Sequence, residues 1–191
     1  MGERMRKHSN ISSSSNTNGS LQLTQQTISN DAFLVGGSDV AFRKMIYDLG
    51  HMKTLLEESR TRIAASLGLT SPQYNILMSL SEKQGDKGAT VKEIAEYLHV
   101  SGPFITSQVQ RLENKGLVVR QKNPDDGRSV LLKLSPEGVK LRAQLLPRLR
   151  EFNNLLFGKI PREDFEGLCR SIIKVIDNWE EAETYLSRTG W

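Results

Sequence analysis

The chain has 191 residues, a formal net charge of +4, and an ordinary balance of 37% hydrophobic and 25% charged residues, which is the profile of a globular protein. Its one cysteine, Cys169, excludes an intrachain disulfide framework and a multi-cysteine metal site. With 6% aromatic residues an extensive base-stacking surface is not expected, while the positive charge is compatible with nucleic acid.

No apolar run approaches the ~18 residues of a transmembrane helix. Basic residues Arg4, Arg6 and Lys7 lead into a polar tract, Ser9 to Ser20, where a secretory signal needs an apolar core. With the lone thiol this points to the reducing cytoplasm. The Ser/Asn tract cannot bury enough apolar surface to offset its ordering entropy. Residues 1–37 are therefore expected to be a disordered or weakly ordered tail, whose far end, Leu21 to Val35, can dock or form an extra helix.

Asp39 is placed to cap a first long helix. Phe42, Ile46, Leu49, Met52, Leu56, Ile63 and Leu67 make its apolar face, and Gly68 stops it. Thr70-Ser71-Pro72 opens a second helix with Tyr74, Ile76, Leu77, Met78 and Leu80 inward. Gly85 to Gly88 reads as a loop. Thr90 and Glu93 form a capping box for a short helix ending at His99-Val100. Ser101 caps the next helix, with Pro103 in its first turn, Ile105, Val109 and Leu112 inward, and Gly116 at its end. Two strands follow, Leu117 to Gln121 and Val130 to Leu134, joined by a tight turn. Ser135-Pro136-Glu137 starts a long helix in which Pro147 predicts a kink or a break. A last helix is expected from Arg162 to Tyr185.

The order short helix, turn, helix with a polar outer face, then hairpin is that of a winged helix-turn-helix. The expected fold is mainly α with a small β-hairpin wing. A DNA major groove admits one helix, and its base edges are read by side chains near that helix's start. The candidate DNA-binding residues are Ser101, Gly102, Phe104, Thr106, Ser107, Gln108, Gln110, Arg111 and Lys115, with Ser101 leaving a helix N-terminus that can face a phosphate. Arg120 and Lys122 add charge beside them.

Arg111 to Arg120 (RLENKGLVVR), Pro124 to Ser129 (PDDGRS) and Leu132 to Gly138 (LKLSPEG) resemble the MarR family of bacterial transcription regulators. Leu69 to Tyr74 resembles that family's second-helix start. The resemblance runs from about Asp39 to the C-terminus. It implies a homodimer, with residues 38–68 and 136–191 as a helical dimerisation region and 69–135 as the winged helix-turn-helix lobe. Each lobe takes half of a pseudo-palindromic operator in double-stranded DNA. It implies a repressor released by a small aromatic or acyl-type ligand, or by oxidation. It also implies that Arg128 enters the minor groove and that Asp126 orients Arg128 or a recognition-helix arginine. The sequence departs from the family at Gly102 and Ser107, where basic residues are common, at Gln108, usually apolar, and at Ser135, usually threonine. An activator, a ligand-independent DNA binder and a helical protein-interaction module remain alternatives.

Lys44, Tyr47 and His51 share one side of the first helix, which is read either as the lining of an effector pocket or as a plain polar face. His8, His51 and His99 lie far apart without partners at metal-ligand spacing, so no metal is expected. Nor is a cofactor, since no glycine-rich phosphate loop appears. His99 is assigned a structural role in its turn, and Cys169 is expected to be a buried, inert thiol. The adjacent carboxylate pairs read as solvated faces or turn chemistry, so the chain is not expected to be an enzyme.

Overall fold

The structure, a computed structural model, describes residues 26–125, 127 and 129–190. The Ser/Asn tract and the wing residues Asp126 and Arg128 lie outside the described residues. The chain divides into two units, one ending at Ser59 and the other beginning at Arg60.

In the first unit, residues 26–39 are tied to the start of helix α1 (Val40–Ser66). Gly36 and Gly37, at φ +62° and +77°, let the chain reverse between the bridged Val35 and Ser38. Asn30 accepts a hydrogen bond from the Ala32 N–H and so caps the short 3₁₀ turn Asp31–Phe33. The Phe33 ring sits 5.9 Å from that of Phe42. Asp39 stands just before α1, but its carboxylate turns to the strap. The Thr27 N–H and hydroxyl donate to Oδ2 at 2.6 and 2.8 Å, and Arg43 pairs with Oδ1 at 3.3 Å. The residue expected as a helix cap thus serves as a latch.

The backbone N–H of Thr27, then its hydroxyl, and the Arg43 charge hold the Asp39 carboxyl below its ordinary value of 3.8, against the opposing effect of desolvation. A depressed carboxylate contributes stability in full above that ordinary value and loses it as pH falls through the lower folded one. The latch should therefore hold at neutral pH and open only in acid, below about pH 3.8. Following the Thr27 amide resonance through an acid titration checks this. Asp39→Asn should show the released signal at every pH, and a signal unmoved by either would refute the latch.

The second unit is built on helix α2 (Ser71–Lys83), strand β1 (Ala89–Thr90), helices α3 (Val91–Leu98) and α4 (Gly102–Asn114), strands β2 (Val118–Lys122) and β3 (Val130–Leu134), and helices α5 (Pro136–Phe157), α6 (Arg162–Asp177) and α7 (Trp179–Thr189). Reciprocal capping boxes start α2 (Thr70, Gln73) and α3 (Thr90, Glu93), as their sequences require. The strands form an antiparallel sheet in the order β1-β3-β2, with Leu132 opposite both Ala89 and Arg120. Ile76, Leu77, Leu80, Ile94, Ile105, Val109, Leu112 and Leu132 are wholly buried and pack the three helices on the sheet. Each buries an aliphatic side chain at roughly 1.5–3 kcal/mol.

Four features differ from the sequence expectations. The sheet has three strands rather than two, because β1 pairs with β3 just ahead of α3. Pro147 does not interrupt α5. The last helix is divided at Asn178, whose N–H is shared between the Lys174 and Ile176 carbonyls at φ −80°, ψ −7°. Asparagine favours such local alternatives to a straight ladder. Cys169 is exposed, not buried, because α6 and α7 bury no residue at all.

Candidate nucleic-acid interface

The turn between α3 and α4 is set by His99, the one non-glycine among the described residues with positive φ, at +52°. Its N–H and that of Val100 close α3 onto the Glu96 and Ala95 carbonyls. A left-handed residue at this point lets a second helix start within three residues. His99 therefore has the structural role expected of it. Ser101 accepts from the Phe104 N–H at 3.4 Å and caps α4.

Helix α4 has one fixed face and one open face. Ile105, Val109 and Leu112 are fully buried. Ser101, Phe104, Thr106, Ser107, Gln110 and Arg111 are exposed, and Gly102 and Gln108 are half-buried. The open face is not uniform. Thr106 donates back to the Gly102 carbonyl at 3.1 Å, and Gln110 to Asn114 at 3.3 Å. Ser107, Gln108 and Arg111 make no side-chain bond among the described residues. Lys115 is directed elsewhere: its ammonium donates to the Gly68 carbonyl at 3.0 Å. Arg120 pairs with Glu113 at 3.0 Å, which fixes β2 to the end of α4.

The wing extends this surface. β2 and β3 pair from Val118–Leu134 out to Lys122–Val130. Beyond them the Asn123 side-chain oxygen Oδ1 accepts from the Asp125 N–H at 3.0 Å, and its side-chain Nδ2 donates to the Ser129 hydroxyl at 2.7 Å. That asparagine-centred turn is the local bonding expected of this composition. An open hollow of about 960 Å³ separates the wing from the start of α4, lined in part by Val91, Lys92, His99, Thr106 and Arg120. Sequence reading missed it, because its walls come from α3, α4 and the sheet together. Beneath it, the Thr90 N–H and then its hydroxyl hold the Glu93 carboxyl below its ordinary range, which keeps the capping box charged and α3 anchored.

The residues singled out on α1 are not gathered into a site. Tyr47 is 78% exposed. Lys44 holds both oxygens of Asp48 at 2.7 Å. The hollow along this stretch is lined by Ala41, Lys44, Met45, Asp48, Leu49 and Met52, without Tyr47 or His51. No group of His, Cys, Asp and Glu among the described residues is arranged to hold a metal. Among those residues, too, no helix is long and apolar enough to cross a membrane.

A capped helix with a buried apolar face and a bare polar one, preceded by a short helix and followed by a paired wing, defines a winged helix-turn-helix protein. The family profile described as MarR family matches residues 67–129, from the end of α1 to the wing. The transcriptional activatory protein BadR of Rhodopseudomonas palustris is 26% identical over 141 residues, 73% of this chain and 81% of that one. The fold matches that of MepR from S. aureus in a DNA complex, with a TM-score of 0.61 at 22% identity over 71% of this chain and 97% of that one. It also matches the PcaV regulator of Streptomyces coelicolor, solved with its natural ligand, with a TM-score of 0.53 at 25% identity over 67% of this chain and 91% of that one. Residues 67–129 thus carry the match to the MarR family, and the described chain has the winged-helix fold of its solved relatives. Its curated relatives are regulators of transcription.

Proposed function

We propose that the protein is a homodimeric, cytoplasmic repressor that binds a pseudo-palindromic operator and leaves it when a small aromatic or acyl-type ligand binds. The observation that carries the DNA reading is α4, whose Ile105, Val109 and Leu112 are locked into the core while Ser107 and Arg111 stand exposed and uncommitted. Residues 69–135 are the DNA lobe in this reading. Residues 38–68 and 136–191 form the dimerisation region, and 1–37 a tail. Phe165, Leu168, Ile172, Ile173, Ile176 and Trp179 are 40–63% exposed on α6 and α7. An apolar stripe of that extent fits a second copy of the chain.

In a dimer two α4 helices enter successive major grooves about one turn, ~10 base pairs, apart. Ser101, Gly102, Phe104, Thr106, Ser107, Gln108, Gln110 and Arg111 lie along the groove, and Arg128, oriented by Asp126, reaches the flanking minor groove. Lys115 serves the lobe's packing first, since Gly68 already holds it. For the ligand, the hollow of about 430 Å³ bounded by Arg62, Ile63, Leu67, Leu145, Arg148 and Phe152 is a better candidate than Lys44, Tyr47 and His51. It pairs an apolar floor with two arginines that have no partner among the described residues. The ligand releases DNA only by binding the DNA-incompetent state more tightly.

An activator is the second reading, favoured by the similarity to the transcriptional activatory protein BadR. Fluorescence anisotropy with genomic fragments tests the DNA reading. Removing both Arg111 and Arg128 to alanine should weaken binding by at least ~10-fold, given roughly 1–3 kcal/mol for a specific arginine contact. Affinity should also fall steeply with salt. Unchanged binding by the double variant would leave a protein-interaction module as the better account.

A further inference from the structure

Six residues between Gln84 and Thr90 grip β3 or the wing turn. The Gln84 side-chain oxygen accepts the Leu134 N–H at 2.8 Å. The Asp86 carbonyl accepts from the Lys133 ammonium. Lys87 reaches Asp125, in the wing turn, at 3.1 Å. Gly88, at φ +109°, lies so close to β3 that a Cβ there would stand 3.0 Å from the Leu131 Cβ and 3.1 Å from the Leu132 carbonyl oxygen. Ala89 and Thr90 then pair with Leu132 and Leu131 as β1.

The wing is a two-stranded ribbon beyond this point, and such a ribbon is marginally stable alone. β1 supports it only as far as Leu131. The turn that carries the family's groove-entering arginine lies further out. Lys87 spans that gap from the strip to Asp125. At 77% and 70% side-chain exposure this pair is too solvated to matter much for global stability. Its effect falls instead on where the turn points.

We propose that the Gln84–Gly88 strip is the positioning element of the wing, and that Lys87 is a positioning residue for DNA binding that acts through Asp125 without itself touching a phosphate. This rests on the DNA-binding reading above. An unsupported ribbon samples more orientations, and ordering it on DNA then costs affinity.

The test uses full-length protein and a duplex selected from a random-sequence pool by the wild-type protein. Lys87→Ala and Asp125→Ala should each weaken binding by about 3- to 5-fold, the range of an exposed pair. The double variant should be no worse than either single one, since both remove the same link. Lys87→Asp combined with Asp125→Lys should recover affinity, as should Lys87→Arg. The slope of log affinity against log salt and the melting temperature should not move in either alanine variant. A salt slope smaller by about one for Lys87→Ala, with tighter binding by Asp125→Ala, overturns the proposal and makes Lys87 a phosphate contact. Unchanged affinity in both alanine variants overturns it with the DNA reading intact. Failure of the wild-type protein to select any duplex overturns both.

Discussion

Glutamate in place of Ser107 is expected to weaken binding to a selected duplex by about 100-fold, on the order of 3 kcal/mol. Ser107 is exposed on the open face of α4 and makes no side-chain bond among the described residues. The change therefore removes nothing from the fold. Glutamate has a better helix propensity than serine, so α4 itself should not suffer. What changes is charge. In a major groove the new carboxylate faces two phosphate backbones, and a like-charge juxtaposition costs several kcal/mol. The loss should shrink as salt rises, because the Debye length falls from ~10 Å at 0.1 M to ~3 Å at 1 M. Ser107→Ala is the companion measurement, expected to cost no more than a few-fold. Equal binding by the glutamate variant and the wild type at low salt would mean that another surface meets the DNA.

Residue 107 could be chosen because the α3–α4 unit is locally encoded. Thr90 with Glu93, and Ser101 ahead of Pro103, satisfy helix N-termini within three residues of themselves. The three-four spacing of Ile105, Val109 and Leu112 names the buried face without any tertiary knowledge. The same holds for Thr70 with Gln73 and for Ser135 at the start of α5. What escaped was decided over long sequence separations. β1 is two residues long, too short to show alternation, and exists only because β3 lies beside it. Lys115 looks like another basic residue of the interface until the Gly68 carbonyl, 47 positions earlier, is found beneath it. Asp39 looks like a simple cap until Thr27 folds onto it.

The errors on burial share a different cause. Periodicity tells which face of a helix is apolar, not what covers it. Leu168, Ile172 and Ile176 recur as expected on α6, yet they are 40–51% exposed, and Cys169 beside them is open too. The trio Lys44, Tyr47 and His51 on α1, read as an effector lining or a plain polar face, shares no hollow among the described residues. Three side chains on one helix face make a row, and a pocket needs a second element. The hollow between Arg62 and Arg148 has one, since its lining comes from both α1 and α5.

Alanine in place of Gly138 should destabilise the protein by roughly 2–4 kcal/mol, read as a lower denaturation midpoint at unchanged slope. Gly138 lies in the first turn of α5, where its N–H donates to the Ser135 hydroxyl at 3.0 Å. That hydroxyl donates onward to the Gly116 carbonyl at 2.5 Å, and the Ser135 N–H donates to the Leu117 carbonyl at 3.0 Å. The start of α5 is thereby pulled onto the chain between α4 and β2. A Cβ at 138 would stand 2.2 Å from the Leu117 oxygen and 3.1 Å from its carbonyl carbon. The obstacle is backbone already committed to Ser135, so no side-chain rotation relieves it. Helix propensity favours alanine by about 1 kcal/mol, and overpacking opposes it by typically 1–3 kcal/mol, occasionally more. Here the clash should win, because backing α5 away also breaks the two Ser135 bonds, each worth about 1 kcal/mol. A midpoint equal to the wild type's would show that α5 can retreat without loss, and the Ser135 hinge would then contribute nothing to holding the lobe.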